Sequence, residues 1–162
     1  MKLIGSLIVL SLVFTNCSHR QNSASQIINY KASLTGNLPF NPFRWCVISV
    51  AVDNGNSTMS TLYGNDIATR HARSDSKDPY PIGSQLSLVT WSQHEDDRWF
   101  GARTPAAVKS IEFVKVDLVT NGVPSYSYRS YKGSPLAQTA FSADSTAARI
   151  DDITSRRALV MP

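Results

Sequence analysis

The segment of this chain best furnished for chemistry is His94-Glu95-Asp96-Asp97, an imidazole followed by three carboxylates of the kind that attract a divalent cation. Four adjacent residues seldom converge on one ion, so a closed sphere would need ligands from elsewhere, such as Asp66 or Asp78. The simpler reading is a charged turn that keeps a sheet soluble, and neither a calcium-loop nor a zincin spacing is present. His71, within Ala68-Thr69-Arg70-His71-Ala72-Arg73, reads first as a solvated helix residue and second as a ligand. Neither histidine stands in a G-x-S-x-G context, so the chain shows no hydrolase signature. The aromatic residues Trp45, Trp91, Trp99, Phe100 and Phe113 fall in or beside expected strands. Core packing is preferred for them over lining a flat pocket.

Both thiols have restricted roles. Cys46 is followed by Val47, so the C-x-x-C-H spacing that fixes a haem through two cysteines is absent from the chain. Placed in the apolar stretch Trp45-Cys46-Val47-Ile48, Cys46 is expected to be a buried, inert small hydrophobe. Cys17 follows a short positive start, Met1-Lys2, and an apolar run from Leu3 to Phe14, which together read as a secretory signal peptide over residues 1–16. The run is shorter than the roughly 20 residues a spanning helix needs. Cys17 stands where a lipoprotein carries its acylated cysteine, although Phe14, Thr15 and Asn16 depart from the usual box. Lipidation at Cys17, anchoring an exported, periplasmic product to a membrane, is preferred over cleavage to a soluble form.

The elements that must position these groups follow from patterning. The 162 residues are 42% apolar and 17% charged, which excludes collagen-like, coiled-coil and disulfide-scaffold classes and suits one domain after the leader. Lys and Arg number 16 against 12 Asp and Glu, a mild excess scattered along the chain, so no nucleic-acid partner is expected. Residues 17–38 are mostly small and polar and read as a tether, leaving a domain over 39–162. Phe43 to Val52 reads as a central strand buried on both faces, and Ser57 to Tyr63 as a short return strand. Asn65 caps a short helix through about Arg73, and Asp75 to Gly83 is a loop. Ser84 to Ser92 is a strand, Gln93 to Asp97 is polar and exposed, and Thr104 to Ala107 is a possible helical turn. Ser110 to Leu118 is a strand, Asn121-Gly122 a turn and Ser125 to Lys132 an edge strand, with a weakly helical pattern over Ala140 to Arg157. The expected class is α+β, a mainly antiparallel sheet of about five strands with one or two short helices.

Met59-Ser60-Thr61-Leu62-Tyr63-Gly64-Asn65-Asp66, Tyr80-Pro81-Ile82-Gly83-Ser84 running into Leu86 to Trp91, and Asp97 to Arg103 resemble the cytochrome P-460 family, as does the ending Arg157 to Pro162. The resemblance covers roughly Pro39 to Pro162 and implies an exported, mainly antiparallel β fold that dimerises and holds a covalent c-type haem, in some members crosslinked to a lysine. Ala140 to Pro162 contains neither Cys nor His and Ser84 to Trp91 contains no Lys, so no haem or catalytic residue carries over. Three functions follow as expectations. The preferred one is a binding module of the cell envelope, without covalent haem, for an unidentified small molecule or a protein. The alternative is a redox or gas-handling protein that binds haem non-covalently through His71 or His94. A metal enzyme built on the His94 to Asp97 segment comes last.

Overall fold

A computed structural model describes residues 29–158 apart from 75, 97 and 119–123; the leader, Cys17 and the Asn121-Gly122 turn therefore lie outside the described residues. The chain forms an α+β fold dominated by one antiparallel sheet. Its strands are β1 (Cys46–Asp53), β2 (Thr58–Gly64), β3 (Gln85–Glu95), β4 (Arg103–Leu118), β5 (Pro124–Lys132) and β6 (Ala137–Thr139), and their order in the sheet is their order in the chain. Among the described residues two α-helices, α1 (Asp66–Arg73) and α2 (Ala143–Ser155), complete it. The sixth strand, three exposed residues long, is the one that patterning missed.

Local chemistry explains the joints. Between β1 and β2, Asp53 Oδ1 accepts the Asn56 backbone N–H at 3.0 Å, an Asx-type turn that closes the hairpin. Asn65 caps α1 as expected: its Oδ1 accepts from the Ala68 N–H at 3.0 Å and from the Gln85 N–H at 3.2 Å, while its Nδ2 donates to the Gly83 carbonyl at 2.9 Å. One side chain thus starts the helix and ties it to the head of β3. Ser142 caps α2 by accepting from the Ser145 N–H at 3.3 Å.

Side chains alternate across the pleat and build two cores. On one face Ile48, Leu62, Leu86, Leu88, Val114 and Val116 pack under Ala68 and Ala72 of α1, Tyr80, and Ile153 of α2. On the other face Val89, Trp91, Ile111, Phe113, Tyr131 and Leu136 are covered by Ala32, Leu34, Leu38 and Phe40. Residues 29–38, expected to belong to a tether, are therefore packed in this structure. Trp91 Nε1 donates to the Ala32 carbonyl at 2.9 Å and Asn29 Nδ2 to the Pro105 carbonyl at 2.8 Å, fixing that segment across the sheet.

Several strand readings change. The apolar run after Phe43 is an edge strand, not a central one: Val47, Val50 and Val52 remain 45%, 44% and 52% exposed because nothing among the described residues covers them. Cys46, at the start of that edge, is exposed instead of buried. Thr104 to Ala107 belongs to β4 and not to a helical turn; Pro105 pairs with Gln93 at a register shift, beyond the reach of β5, where a missing N–H is tolerated. β3 runs on through Gln93, which is buried, to Glu95. The edge expected at Ser125 to Lys132 is capped by β6.

Candidate functional site

The histidines do not come together. α1 begins at the Gln85 end of β3, whereas His94 is next to last at the other end of that strand. His71 donates from Nε2 to the Asp78 carbonyl at 3.0 Å, and its ring lies 4.7 Å from that of Tyr80. A carbonyl only accepts, so the proton is on Nε2 and Nδ1 alone keeps a lone pair. His94 is more committed: Nδ1 donates to the Glu95 carbonyl at 2.6 Å and Nε2 accepts from the Thr104 hydroxyl at 3.1 Å. Glu95 turns to Arg103 at 3.4 Å, and Asp96 Oδ1 accepts the backbone N–H groups of Arg98 and Trp99 at 2.8 and 3.2 Å. Among the described residues, no three His, Cys, Asp or Glu side chains are grouped to hold a metal ion.

Patterning singled out five aromatics, and the structure divides them. Trp99 and Phe100 are exposed in the β3–β4 hairpin. Trp45, Trp91 and Phe113 share the face beneath the N-terminal segment. There Phe40 meets Trp45 with ring centroids 3.9 Å apart and Phe113 edge-on at 4.6 Å. Beside this cluster lies a cavity of about 200 Å³ bordered by Pro39, Phe40, Phe113, Gln85, Lys115, Ser127 and Arg129. Its floor is a consequence of register, because Gln85, Lys115 and Ser127 stand side by side on β3, β4 and β5, next to a row of Ser87, Phe113 and Arg129. An apolar wall with a few converging polar groups is the make-up of a small-molecule seat. A more open depression of about 360 Å³ between Phe43, Val50, Met59, Tyr63, Trp91 and Pro105 has no charged group on its lining to orient a ligand.

The opposite face carries a polar cluster of a different kind. Glu112, the one acid in the Ile111 to Val116 stretch, has a side chain only 6% exposed and accepts from Arg149 Nε at 2.9 Å and Nη2 at 2.6 Å. Tyr128 Oη donates to the same carboxylate. Arg149 Nη1 reaches Asp152 Oδ2 at 2.8 Å, and Arg156 reaches Asp152 at 3.2 Å and Ser60 Oγ at 3.4 Å. Burial first, and then the Glu112 carboxylate, hold the Tyr128 phenol well above the usual 10; its hydrogen bond to Glu112 pushes the Arg149 guanidinium higher still, against burial. Two carboxylates and two guanidiniums balance, so this arrangement clamps α2 to β2, β4 and β5 and activates no nucleophile. The sequence reading missed the cluster, although Arg149 and Asp152, at i and i+3, mark one face of α2 and Arg156 follows at its C-cap. It also missed Lys115 and Arg129, whose signal is the cross-strand pairing itself.

Compared with known proteins, the chain matches no family model and no curated protein.

Proposed function

We propose that this chain is an exported binding module of the cell envelope, anchored through Cys17, that holds a small molecule without turning it over. The observation that carries this reading is the cavity beside Phe40 and Phe113, which joins an aromatic wall to Gln85, Lys115, Ser127 and Arg129. The leader before Cys17 supports export, the resemblance of Met59 to Asp66 and Tyr80 to Trp91 to the cytochrome P-460 family supports an envelope role, and the missing C-x-x-C-H spacing argues against covalent haem. The haem alternative rests on His71 and His94, neither of which borders this cavity and one of which has both ring nitrogens engaged.

Trp45 packs on Phe40, which borders the cavity, so its fluorescence is expected to respond to occupancy through that ring. Titration of the full chain with small aromatic molecules is expected to change that fluorescence saturably. Titration with haem is the counter-test. A Soret band that shifts with carbon monoxide and disappears when both His71 and His94 are replaced by Ala would replace this reading with the haem one.

A further inference from the structure

We infer that the cavity beside Phe40 and Phe113 takes an aromatic carboxylate, an inference that rests on the binding-module reading above. The sheet is graded in polarity along its strands on this face. The row Val89, Ile111, Tyr131 is buried and apolar, the next row contributes Phe113 and Arg129, and the outermost contributes Gln85, Lys115 and Ser127. A ligand seated in the cavity therefore meets the Phe40 and Phe113 rings on one side and Arg129, Gln85, Lys115 and Ser127 around them.

The cations are not equivalent. Lys115 Nζ is held by Asp117 at 2.6 Å, which offsets its charge. Arg129 has no ion pair among the described residues and stands directly across from Phe113. A guanidinium without an acidic partner offers a planar pair of N–H donors, the geometry that matches a carboxylate, and does so beside the ring against which an aromatic body would stack. Size narrows the class further. A dry protein cavity of roughly 150 Å³ accommodates benzene, so about 200 Å³ has room for one ring bearing a carboxyl group. An inorganic anion would leave the Phe40 and Phe113 wall unused, and a neutral arene would leave Arg129 unanswered.

The test is calorimetric titration of the full chain with benzoate, benzyl alcohol and inorganic phosphate, with amide chemical shifts of Phe113 and Arg129 recorded alongside. Benzoate is expected to bind saturably and to shift both amides. Arg129→Gln is expected to weaken benzoate roughly tenfold or more, the loss of one charge-assisted contact, while leaving the unfolding midpoint in place because Arg129 is exposed. Benzyl alcohol binding as well as benzoate, or benzoate indifferent to Arg129→Gln, overturns the carboxylate assignment and leaves the binding module standing. Phosphate binding as tightly as benzoate overturns the aromatic part. No saturable binding by any of the three overturns both the assignment and the reading of this cavity as a ligand seat.

Discussion

Arg149 of α2 grips Glu112 of β4 at two points, Nε to Oε1 at 2.9 Å and Nη2 to Oε2 at 2.6 Å, across 37 residues of sequence. Removing the guanidinium would leave a nearly buried carboxylate with only Tyr128 to satisfy it. Breaking a buried pair costs about 3–5 kcal/mol, and the partial exposure of Arg149 lowers the expectation here to about 2–3 kcal/mol. Arg149→Met should therefore lower the urea midpoint at unchanged m-value. Glu112→Leu combined with Arg149→Met should recover most of the loss, and a double variant as unstable as the single one would show that the pair does not act as a unit.

Alkaline pH should weaken the fold through its phenols. Tyr63, Tyr80 and Tyr128 are all held above their ordinary value of 10, in each case first by burial. Below pH 10 both folded and unfolded states keep these protons, so they add no pH dependence. Above it the unfolded chain releases them while the folded one does not, and stability falls as pH rises. Tyr128→Phe is expected to shallow that decline. Phenolate absorbance should show these groups ionising only as the chain unfolds.

Trp91 is expected to be the fastener of the N-terminal segment. Its indole N–H holds the Ala32 carbonyl at 2.9 Å. Trp91→Phe keeps a ring in the core but removes the donor, at a cost of about 1–2 kcal/mol. Amide exchange should accelerate over residues 32–38 more than in β3 and β4; uniform acceleration would mean that the segment is held by packing alone.

Gly64 sits where α1 leaves the sheet, and a Cβ there would meet Ile48 Cδ1 at 2.5 Å and Ala68 Cβ at 3.0 Å. Gly64→Ala is expected to destabilise by about 1–3 kcal/mol through overpacking. A thermal midpoint equal to that of the parent would show that Ile48 moves aside freely.

Cys46 should react in the native state. It is exposed on the outer strand, so a maleimide is expected to label the peptide containing Cys46 without denaturant. Labelling only after unfolding would contradict the exposed placement.

The parts legible in the sequence are those decided within a few residues. Asn65 signals its helix through a short side chain placed three residues before Ala68, and Leu86, Leu88 and Val89 mark a strand that is buried on both faces. The parts that were not legible depend on which face a neighbour covers. Val47, Val50 and Val52 look like core, but the packed N-terminal segment lies over β3 and β4 instead of β1. The candidate site shares this origin. Lys115 and Arg129 are ordinary charged residues until β4 and β5 pair, and Glu112 and Arg149 are unrelated until α2 folds back. His71 and His94 drew notice by residue type, yet hydrogen bonds to the Asp78 and Glu95 carbonyls account for ring nitrogens of both.

Strand order that repeats chain order also shapes how the molecule comes to be. Each pairing joins consecutive strands, so no strand waits for a partner from the far end of the chain, and the sheet can zip one hairpin at a time. The long-separation contacts are made by what lies over the sheet, Trp91 with Ala32 across 59 residues and Arg149 with Glu112 across 37. The two covers are thus the natural late steps. Until the N-terminal segment docks, the wall that Pro39 and Phe40 lend to the cavity is missing, so on the proposed reading the seat would be completed only at that step.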